Sequence, residues 1–124
     1  MFLRGINYDV GTAFTEGKLS RPDFDEAIIK NEIGIIKNDL NCDAIKITGH
    51  DVQRLAKAAE FALQEGLQVW LTPSYIDATK EEALPHLIDC AVAAEKLRAN
   101  GEIIFVLGFE YSLFLKGFLK GDTI

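Results

Sequence analysis

The fold of this chain is decided around one stretch, Gly101-Glu102-Ile103-Ile104-Phe105-Val106-Leu107-Gly108-Phe109-Glu110. The run from Ile103 to Leu107 is apolar without interruption and rich in β-branched and aromatic side chains, which is typical of a strand. Because the run shows no alternation, we expect this strand to be buried on both faces, as in a parallel sheet covered by helices. The carboxylate of Glu110 follows where such a strand ends, and ligands bind at that end of parallel α/β folds.

Three further strand patterns precede this stretch, and helix patterns lie between them. The predicted strands cover residues 2–6, 44–48, 68–71 and 103–107. Strands that alternate with helices are typical of parallel βαβ units, whose crossovers are right-handed. The sequence therefore predicts an α/β fold made of four consecutive parallel βα units.

Local signals predict where the first two helices begin and which face each one buries. Ser20-Arg21-Pro22-Asp23 indicates a helix start, with Ser20 as the capping residue. The apolar face of this helix is predicted at Ile29, Ile33, Ile36 and Leu40. The second helix is predicted over about residues 51–65, and Gly66 suits the position after its end. Its apolar stripe consists of Leu55, Ala58, Ala59, Ala62 and Leu63.

The third helix is predicted to open at a capping box formed by Thr79 and Glu82. Because Pro85 lies inside this segment, we expect a kink or a later start there. The residues predicted to line its buried face are Leu84, Leu87, Ile88 and Ala91. A short apolar helix or turn is predicted over residues 111–119.

Two architectures fit four βα units: a small open sheet and half of a (β/α)8 TIM barrel. A whole barrel takes about 250 residues, and this chain has 124. The exit of the first strand, Gly5-Ile6-Asn7-Tyr8-Asp9-Val10-Gly11, matches neither the dinucleotide fingerprint nor the P-loop. This weakens a nucleotide-binding open sheet. Two alternatives stay open at this point: a small open-sheet domain that binds another ligand at its strand ends, and a single partial barrel domain over residues 1–124, with strands one to four of eight.

Composition limits the partners of the chain. The net charge of −6 argues against nucleic acid as a partner, because nucleic-acid binders carry a basic patch. The longest apolar run is too short to span a bilayer, so we expect no membrane association. Cys42 and Cys90 are isolated and match no metal or redox spacing. Such thiols suit a reducing compartment, and we expect a cytoplasmic protein without a cofactor.

Four stretches of the chain resemble the opening half of glycoside-hydrolase-like TIM barrels. They are Arg4-Gly5-Ile6-Asn7-Tyr8-Asp9, Cys42-Asp43-Ala44-Ile45-Lys46-Ile47-Thr48-Gly49, Gly66-Leu67-Gln68-Val69-Trp70-Leu71-Thr72-Pro73 and Gly108-Phe109-Glu110-Tyr111-Ser112-Leu113-Phe114. More narrowly, the chain resembles bacterial abortive (phage) infection proteins that carry such a barrel. The trailing Gly117-Phe118-Leu119-Lys120-Gly121-Asp122-Thr123 also fits that family. The resemblance spans nearly the whole chain and corresponds to the N-terminal half of the family's barrel.

The resemblance implies a role for one carboxylate. In the broad clan, a glutamate after the fourth strand is the general acid/base, and a carboxylate after the seventh strand is the nucleophile. By position Glu110 corresponds to the first, and the second is expected on the missing C-terminal half, so the isolated chain is expected to be inactive. The alternative is a non-catalytic binding or self-assembling module, in which two half-barrels pair and cover their free sheet edges. For Glu110 itself, the plainer interpretation is a carboxylate that favours the dipole of the following turn.

Polar residues on the first two predicted strands are candidate contacts for a carbohydrate ligand. Asn7, Tyr8 and Asp9 are able to hydrogen-bond a sugar at the barrel mouth, although such residues also form turns. Lys46 lies in the middle of the second strand. If Lys46 points inward, it needs Glu110 or Asp9 as a partner; if it points outward, its stem lies between helices.

His50, Trp70 and Tyr75 complete the candidate sugar contacts. His50 leaves the second strand beside Asp51, which we expect to cap the second helix. Trp70 either stacks on a sugar or belongs to the core, and Tyr75 is the better candidate for an exposed aromatic residue. We expect no metal site, because the chain has two histidines and His86 is predicted on a helix away from the mouth.

Overall fold

The computed structural model describes residues 2–15, 17–108 and 110–120. Outside this description lie Met1, Glu16, Phe109 and residues 121–124, which include Phe109 of the opening stretch and Gly121-Asp122-Thr123 of the resemblance. The strands are β1 (Gly5–Asp9), β2 (Ala44–Gly49), β3 (Gln68–Pro73) and β4 (Ile103–Phe105). The helices are α1 (Glu26–Asn38), α2 (Val52–Gln64), α3 (Lys80–Leu97) and α4 (Tyr111–Phe114), with a 3-10 turn at Arg98–Asn100.

The strands form a sheet in the order β1-β2-β3-β4, in which every neighbouring pair is parallel. Helices α1, α2 and α3 connect successive strands, which confirms the predicted α/β fold of alternating strands and helices. Right-handed crossovers between strands laid down in one direction place the connecting helices on the same side of the sheet. We call this side the helix face.

The apolar core lies between the helix face and the helices. Alternate residues of the central strands, Ile45, Ile47, Val69 and Leu71, are almost fully buried there. The helices contribute Ile29, Ile33, Ile36, Leu55, Ala58, Ala59, Ala62, Leu63, Cys90 and Ala94 to the same cluster. Because side chains alternate along a strand, the residues between these strand positions point to the opposite side, which we call the bare face.

The first strand begins three residues later than predicted. β1 spans Gly5–Asp9 and pairs with β2 from Gly5 opposite Ala44 to Asp9 opposite Thr48. The prediction over residues 2–6 was based on the apolar residues there. In the structure Phe2 is 97% exposed, and the residues buried in the core are Tyr8 and Val10. Pairing with β2 and burial of Tyr8 therefore set the position of β1.

The fourth strand is shorter and more exposed than predicted. β4 spans Ile103–Phe105, all three residues are half-buried, and Leu107 is exposed. The expectation of burial on both faces was wrong because the helices cover one face of the sheet only, and the described part of β4 is also an edge that pairs with β3 alone. Ile103 and Phe105 pack against the core, and the residue between them faces away from the helices.

Helix α1 begins six residues after the predicted capping residue. Asp25 is its N-cap, and the Asp25 carboxylate accepts hydrogen bonds from the backbone of Ala27 and Ile28. The hydroxyl of Ser20 is instead bound to Asp9, so Ser20 stabilises the loop that precedes the helix. The predicted apolar face is buried at three of its four positions, the exception being Leu40, which lies beyond the helix end.

Helix α2 agrees with its prediction. It is capped by Asp51, whose carboxylate accepts from the backbone of Arg54, and all five residues of the predicted stripe are buried. Gly66 has a φ of 74°, as expected for a glycine that follows a helix end.

Helix α3 has the predicted capping box but buries a different face. Thr79 and Glu82 bind each other's backbone, and the helix runs from Lys80 through Pro85, so it has no later start. Its buried residues are Ala83, Cys90 and Ala94, while Leu84, Ile88 and Val92 are exposed. Small side chains allow α3 to approach the core closely, which turns the larger ones outward. No described helix is long and apolar enough to cross a membrane.

Candidate functional site

The bare face carries three of the predicted contact residues side by side. The register places Asn7 opposite Lys46, Lys46 opposite Trp70, and Trp70 opposite Ile104. Asn7, Lys46 and Trp70 line a shallow concavity of about 240 Å³ that reaches the edge of β1. Trp70 is 39% exposed, and its indole N–H donates to the side-chain oxygen of Gln68 at 2.8 Å. This surface presents an amide, an ammonium group and an aromatic ring together.

Asp9 lies at the carboxyl end of β1 and organises the loop that follows. Its carboxylate accepts from the backbone of Gly11 at 3.2 Å and from the hydroxyls of Thr12 at 3.1 Å and Ser20. Thr12 is buried and its hydroxyl lies 3.3 Å from that of Ser74, which leaves β3. The Asp9 carboxylate is therefore occupied by its own loop, while its predicted contact with a sugar stays a prediction.

Tyr8 lies apart from the other candidates, on the helix face. Its hydroxyl donates to the Glu32 carboxylate at 2.5 Å, and Arg21 binds both groups while its guanidinium lies 5.5 Å from the centre of the Tyr8 ring. Burial, followed by the hydrogen bond to Glu32, raises the pKa of the Tyr8 hydroxyl well above its usual value. These contacts join β1, α1 and their loop, so the geometry gives Tyr8 a structural role and leaves its sugar contact an unsupported prediction.

His50 and Tyr75, two of the predicted contact residues, pack against the ring of His86, which the sequence analysis expected away from the mouth. The rings of His50 and His86 are stacked, with centroids 4.8 Å apart and planes 9° from parallel. Tyr75 contacts both rings, with centroid distances of 4.6 Å to His50 and 5.0 Å to His86. The expectation that His86 lies away from the mouth was wrong, because α3 starts beside the exit of β3 and its second turn reaches the exit of β2. We call His50, Tyr75 and His86 the ring cluster.

Hydrogen bonds fix the orientation of both histidines. The Nδ1 atom of His50 donates to the carbonyl oxygen of Ser74 at 3.1 Å, and the Nε2 atom of His86 donates to the carbonyl oxygen of His50. The Nδ1 atom of His86 is buried and has no hydrogen-bond partner among the described residues. Burial lowers the pKa of His86, and the neighbouring His50 lowers it further against the opposing effect of the backbone hydrogen bond.

Cys90 lies below the ring cluster, with its sulfur 3.8 Å from Nε2 of His86. Burial raises the pKa of the Cys90 thiol to about 11, and the carboxylates of Asp89 and Asp51 act in the same direction. The thiol is therefore protonated at neutral pH, which does not suit a nucleophile. Both cysteines are free and buried.

The depressed pKa of His86 makes the stability of the fold depend on pH. Above a pH of about 6.5 the imidazole is neutral in both the folded and the unfolded chain; below it, the unfolded chain takes up a proton that the folded chain resists. We expect the free energy of unfolding to decrease as the pH falls from 6.5 towards the pKa of the folded state. Urea titrations of the wild type and His86→Gln across this range measure the effect, because glutamine keeps a donor and does not titrate. Parallel pH profiles for the two proteins would contradict it.

Glu110 is exposed and has an unusual backbone conformation. It directly precedes α4 with φ of 43° and ψ of 53°, a left-handed conformation that side chains larger than those of Asn and Asp rarely adopt. Its carbonyl oxygen accepts from the backbone of Leu113 and Phe114. Its carboxylate neither caps α4 nor forms an ion pair with any residue that the structure describes.

The candidate residues thus form two groups, and three of them lie outside both. Asn7, Lys46 and Trp70 share the bare face, and His50 and Tyr75 share the ring cluster. Outside both groups are Tyr8 on the helix face, Asp9 in its own loop and Glu110 before α4. The sequence analysis missed His86, Thr12 and Ser74, which gain their contacts from strands and loops far apart in the chain. Among residues 2–15, 17–108 and 110–120, no group of three or more histidine, cysteine or acidic side chains is placed to hold a metal ion. No protein-family model matches the sequence, and neither does any curated protein.

Proposed function

We propose that this chain forms the N-terminal half of a glycoside-hydrolase-like (β/α)8 barrel, similar to the barrel of bacterial abortive infection proteins. One observation carries the proposal: four parallel strands follow one another in sequence order, with their connecting helices on one face. In doubly wound open sheets the strand order reverses at a switch point and helices cover both faces. A barrel instead keeps the sequential order and has side chains on its inner face. In this proposal the bare face becomes the inside of the barrel.

Glu110 takes the acid/base position in this proposal. Three features support it: it follows β4, its carboxylate is exposed, and its backbone adopts a left-handed conformation. Such backbone strain is concentrated at functional sites. A general acid transfers its proton to the leaving-group oxygen of a glycoside, and a second carboxylate on the other side of the sugar completes the reaction.

A carbohydrate is the ligand that best matches the remaining candidates. Asn7 and Lys46 offer hydrogen-bond donors to sugar hydroxyls, and the ring of Trp70 offers an apolar surface beside them. Tyr75 and His50 present further ring surface at the carboxyl end of the strands. Sugar recognition combines hydrogen-bonding groups with aromatic surface, and these residues provide both: an amide, a cation and aromatic rings.

The isolated chain is expected to hydrolyse no aryl glycoside. Hydrolysis with either stereochemical outcome uses two carboxyl groups about 5–10 Å apart. The carboxylate of Asp9 is bound to its own loop and that of Asp51 caps α2. In this proposal the second catalytic carboxylate of the barrel comes from its other half. The measurement is a panel of aryl glycosides with the wild type, Glu110→Gln and the control Glu102→Gln, which removes a carboxylate at the opposite end of the same strand.

Two results would contradict this proposal in different ways. Turnover by the wild type and Glu102→Gln that disappears in Glu110→Gln would mean that the chain holds a complete catalytic site. Binding is followed separately through the emission of Trp70, which is the single tryptophan of the sequence. If no sugar of the panel changes that emission, the carbohydrate part of the proposal is wrong.

The alternative function is a non-catalytic, self-assembling half-barrel. The observation that favours it is the pair of outer strands, since no described residue pairs with the outer edge of β1 or β4. Open strand edges invite pairing with another chain. A second copy that joined its β1 to this β4, and its β4 to this β1, would close both edges.

A further inference from the structure

Lys46 lies at the centre of the bare face, where no carboxylate of the described residues forms an ion pair with it. It lies in β2 between Asn7 and Trp70, and its side chain is half-buried by these neighbours. No ion pair joins it to a carboxylate in the described structure. The two partners that the sequence suggested do not reach it: the Asp9 carboxylate is bound to its loop, and Glu110 follows β4.

The other acidic residue near the bare face is also too far away. Glu102 precedes β4, which is separated from β2 by β3. Neighbouring strands lie about 4.8 Å apart, so β4 is about 10 Å from β2. Covering the bare face would thus remove the Lys46 ammonium group from water without pairing it, which is unfavourable unless the covering surface supplies a negative charge.

A second copy of this chain does not supply that charge. In a closed eight-stranded barrel, alternate strands contribute side chains to the same interior layer. A second copy would therefore place its own β2, and its own Lys46, in the layer that Lys46 of the first copy occupies. Two ammonium groups would then share a dry interior, and like charges opposed across an interface cost affinity.

We propose that the bare face is an interface for a sheet that carries a carboxylate opposite Lys46, and that Lys46 selects such a partner against a second copy of the chain. This inference rests on the proposed half-barrel and specifies the chemistry of the other half: apolar residues that cover Ile104, with an acidic side chain at the level of β2. The partner is a protein sheet, because a surface of this extent needs strands to cover it and to pair with the open edges of β1 and β4.

The protein itself provides the test, since variants can supply the missing charge. Sedimentation equilibrium is measured for the wild type, Lys46→Met, Lys46→Glu, and an equimolar mixture of wild type with Lys46→Glu. Lys46→Met is expected to self-associate about tenfold more tightly than the wild type, because it removes the opposed charges. The mixture is expected to form a mixed dimer tighter than either parent. Emission from Trp70 should move to shorter wavelength as dimers form, because the ring leaves water.

A matched control and the contradicting outcomes separate this inference from the proposed half-barrel. Lys80→Glu makes the same charge change on α3 and should not associate with the wild type; circular dichroism checks that each variant is folded. If the wild type associates as tightly as folded Lys46→Met, Lys46 selects nothing, and the half-barrel stands. If every variant stays monomeric, the charge of Lys46 does not control association and this inference fails, while the proposed half-barrel, which needs no second copy, stands. Association of the wild type only after succinate is added would overturn the protein partner in favour of a small anion.

Discussion

Replacing Ile33 with alanine is expected to lower the free energy of unfolding by about 2–5 kcal/mol, the usual range for truncating a fully buried isoleucine. Ile33 lies in the middle of α1 and is completely buried between this helix and the sheet. Removing its side chain loses apolar burial and leaves a cavity, because the other residues of the core cluster close it only in part. Urea denaturation followed by circular dichroism measures the change in midpoint.

Ile88→Ala is the matched control for this substitution. Both residues are isoleucines inside helices, but Ile88 is 54% exposed on the outer side of α3. Because alanine has the higher helix propensity and little burial is lost, we expect Ile88→Ala to change stability by no more than about 0.5 kcal/mol. Equal losses in the two variants would mean that α3 buries the face the sequence pattern predicted, and that its orientation in this fold is wrong.

Gly49→Ala is expected to destabilise the fold by about 1–3 kcal/mol, as overpacking of a filled core does. Gly49 ends β2, and a Cβ atom added there would lie 2.4 Å from the Cγ2 methyl of Val10 and 3.6 Å from Leu55. Val10 is completely buried, so its methyl group has no free space to move into. The same urea titration measures this effect, and an unchanged midpoint would contradict the close approach of the two strand ends.

Two further variants isolate the steric cause. Gly34→Ala places a methyl group in the middle of α1, where it meets no described atom within 4 Å apart from its chain neighbours and the adjacent helix backbone. We expect it to stabilise the protein by up to about 1 kcal/mol, because alanine is the better helix former. Val10→Ala should cost less in the Gly49→Ala background than in the wild type, since the smaller side chain removes the clash. Additive losses in the double variant would mean that the two sites do not touch.

The best predictions from the sequence concern features set by neighbours within one or two helical turns. The structure confirms three such features: the buried apolar stripe of α2, its N-cap at Asp51, and the capping box formed by Thr79 and Glu82. Each of them depends on residues three or four positions apart. Two predictions of the same kind were wrong where a longer contact competed. Ser20 is bound to Asp9 instead of capping α1. The position of β1 is set by burial of Tyr8 in the core and not by the apolar residues at the start of the chain.

The candidate site shows the same division. The sequence indicates His50 and Tyr75 as residues that follow strands and Lys46 as a residue inside one. Polar residues that follow or interrupt apolar strands can be recognised from the sequence alone. The stacking of His86 on His50 joins residues 36 positions apart. It depends on where α3 packs, and its exposed Leu84 and Ile88 show that this packing does not follow the apolar pattern of the helix.

The sequence by itself determined the α/β class, the four strand–helix alternations and the placement of Glu110 after the last strand. Each of these follows from hydrophobic period and capping, which are local properties of the chain. Only the tertiary structure decided that the helices share one face, that β4 lies at an edge and that Lys46 faces away from the core, unpaired with any carboxylate in the part of the chain that the structure describes. Those features depend on strand order and register, and these are set by contacts between segments that lie far apart in the chain, so no local pattern records them.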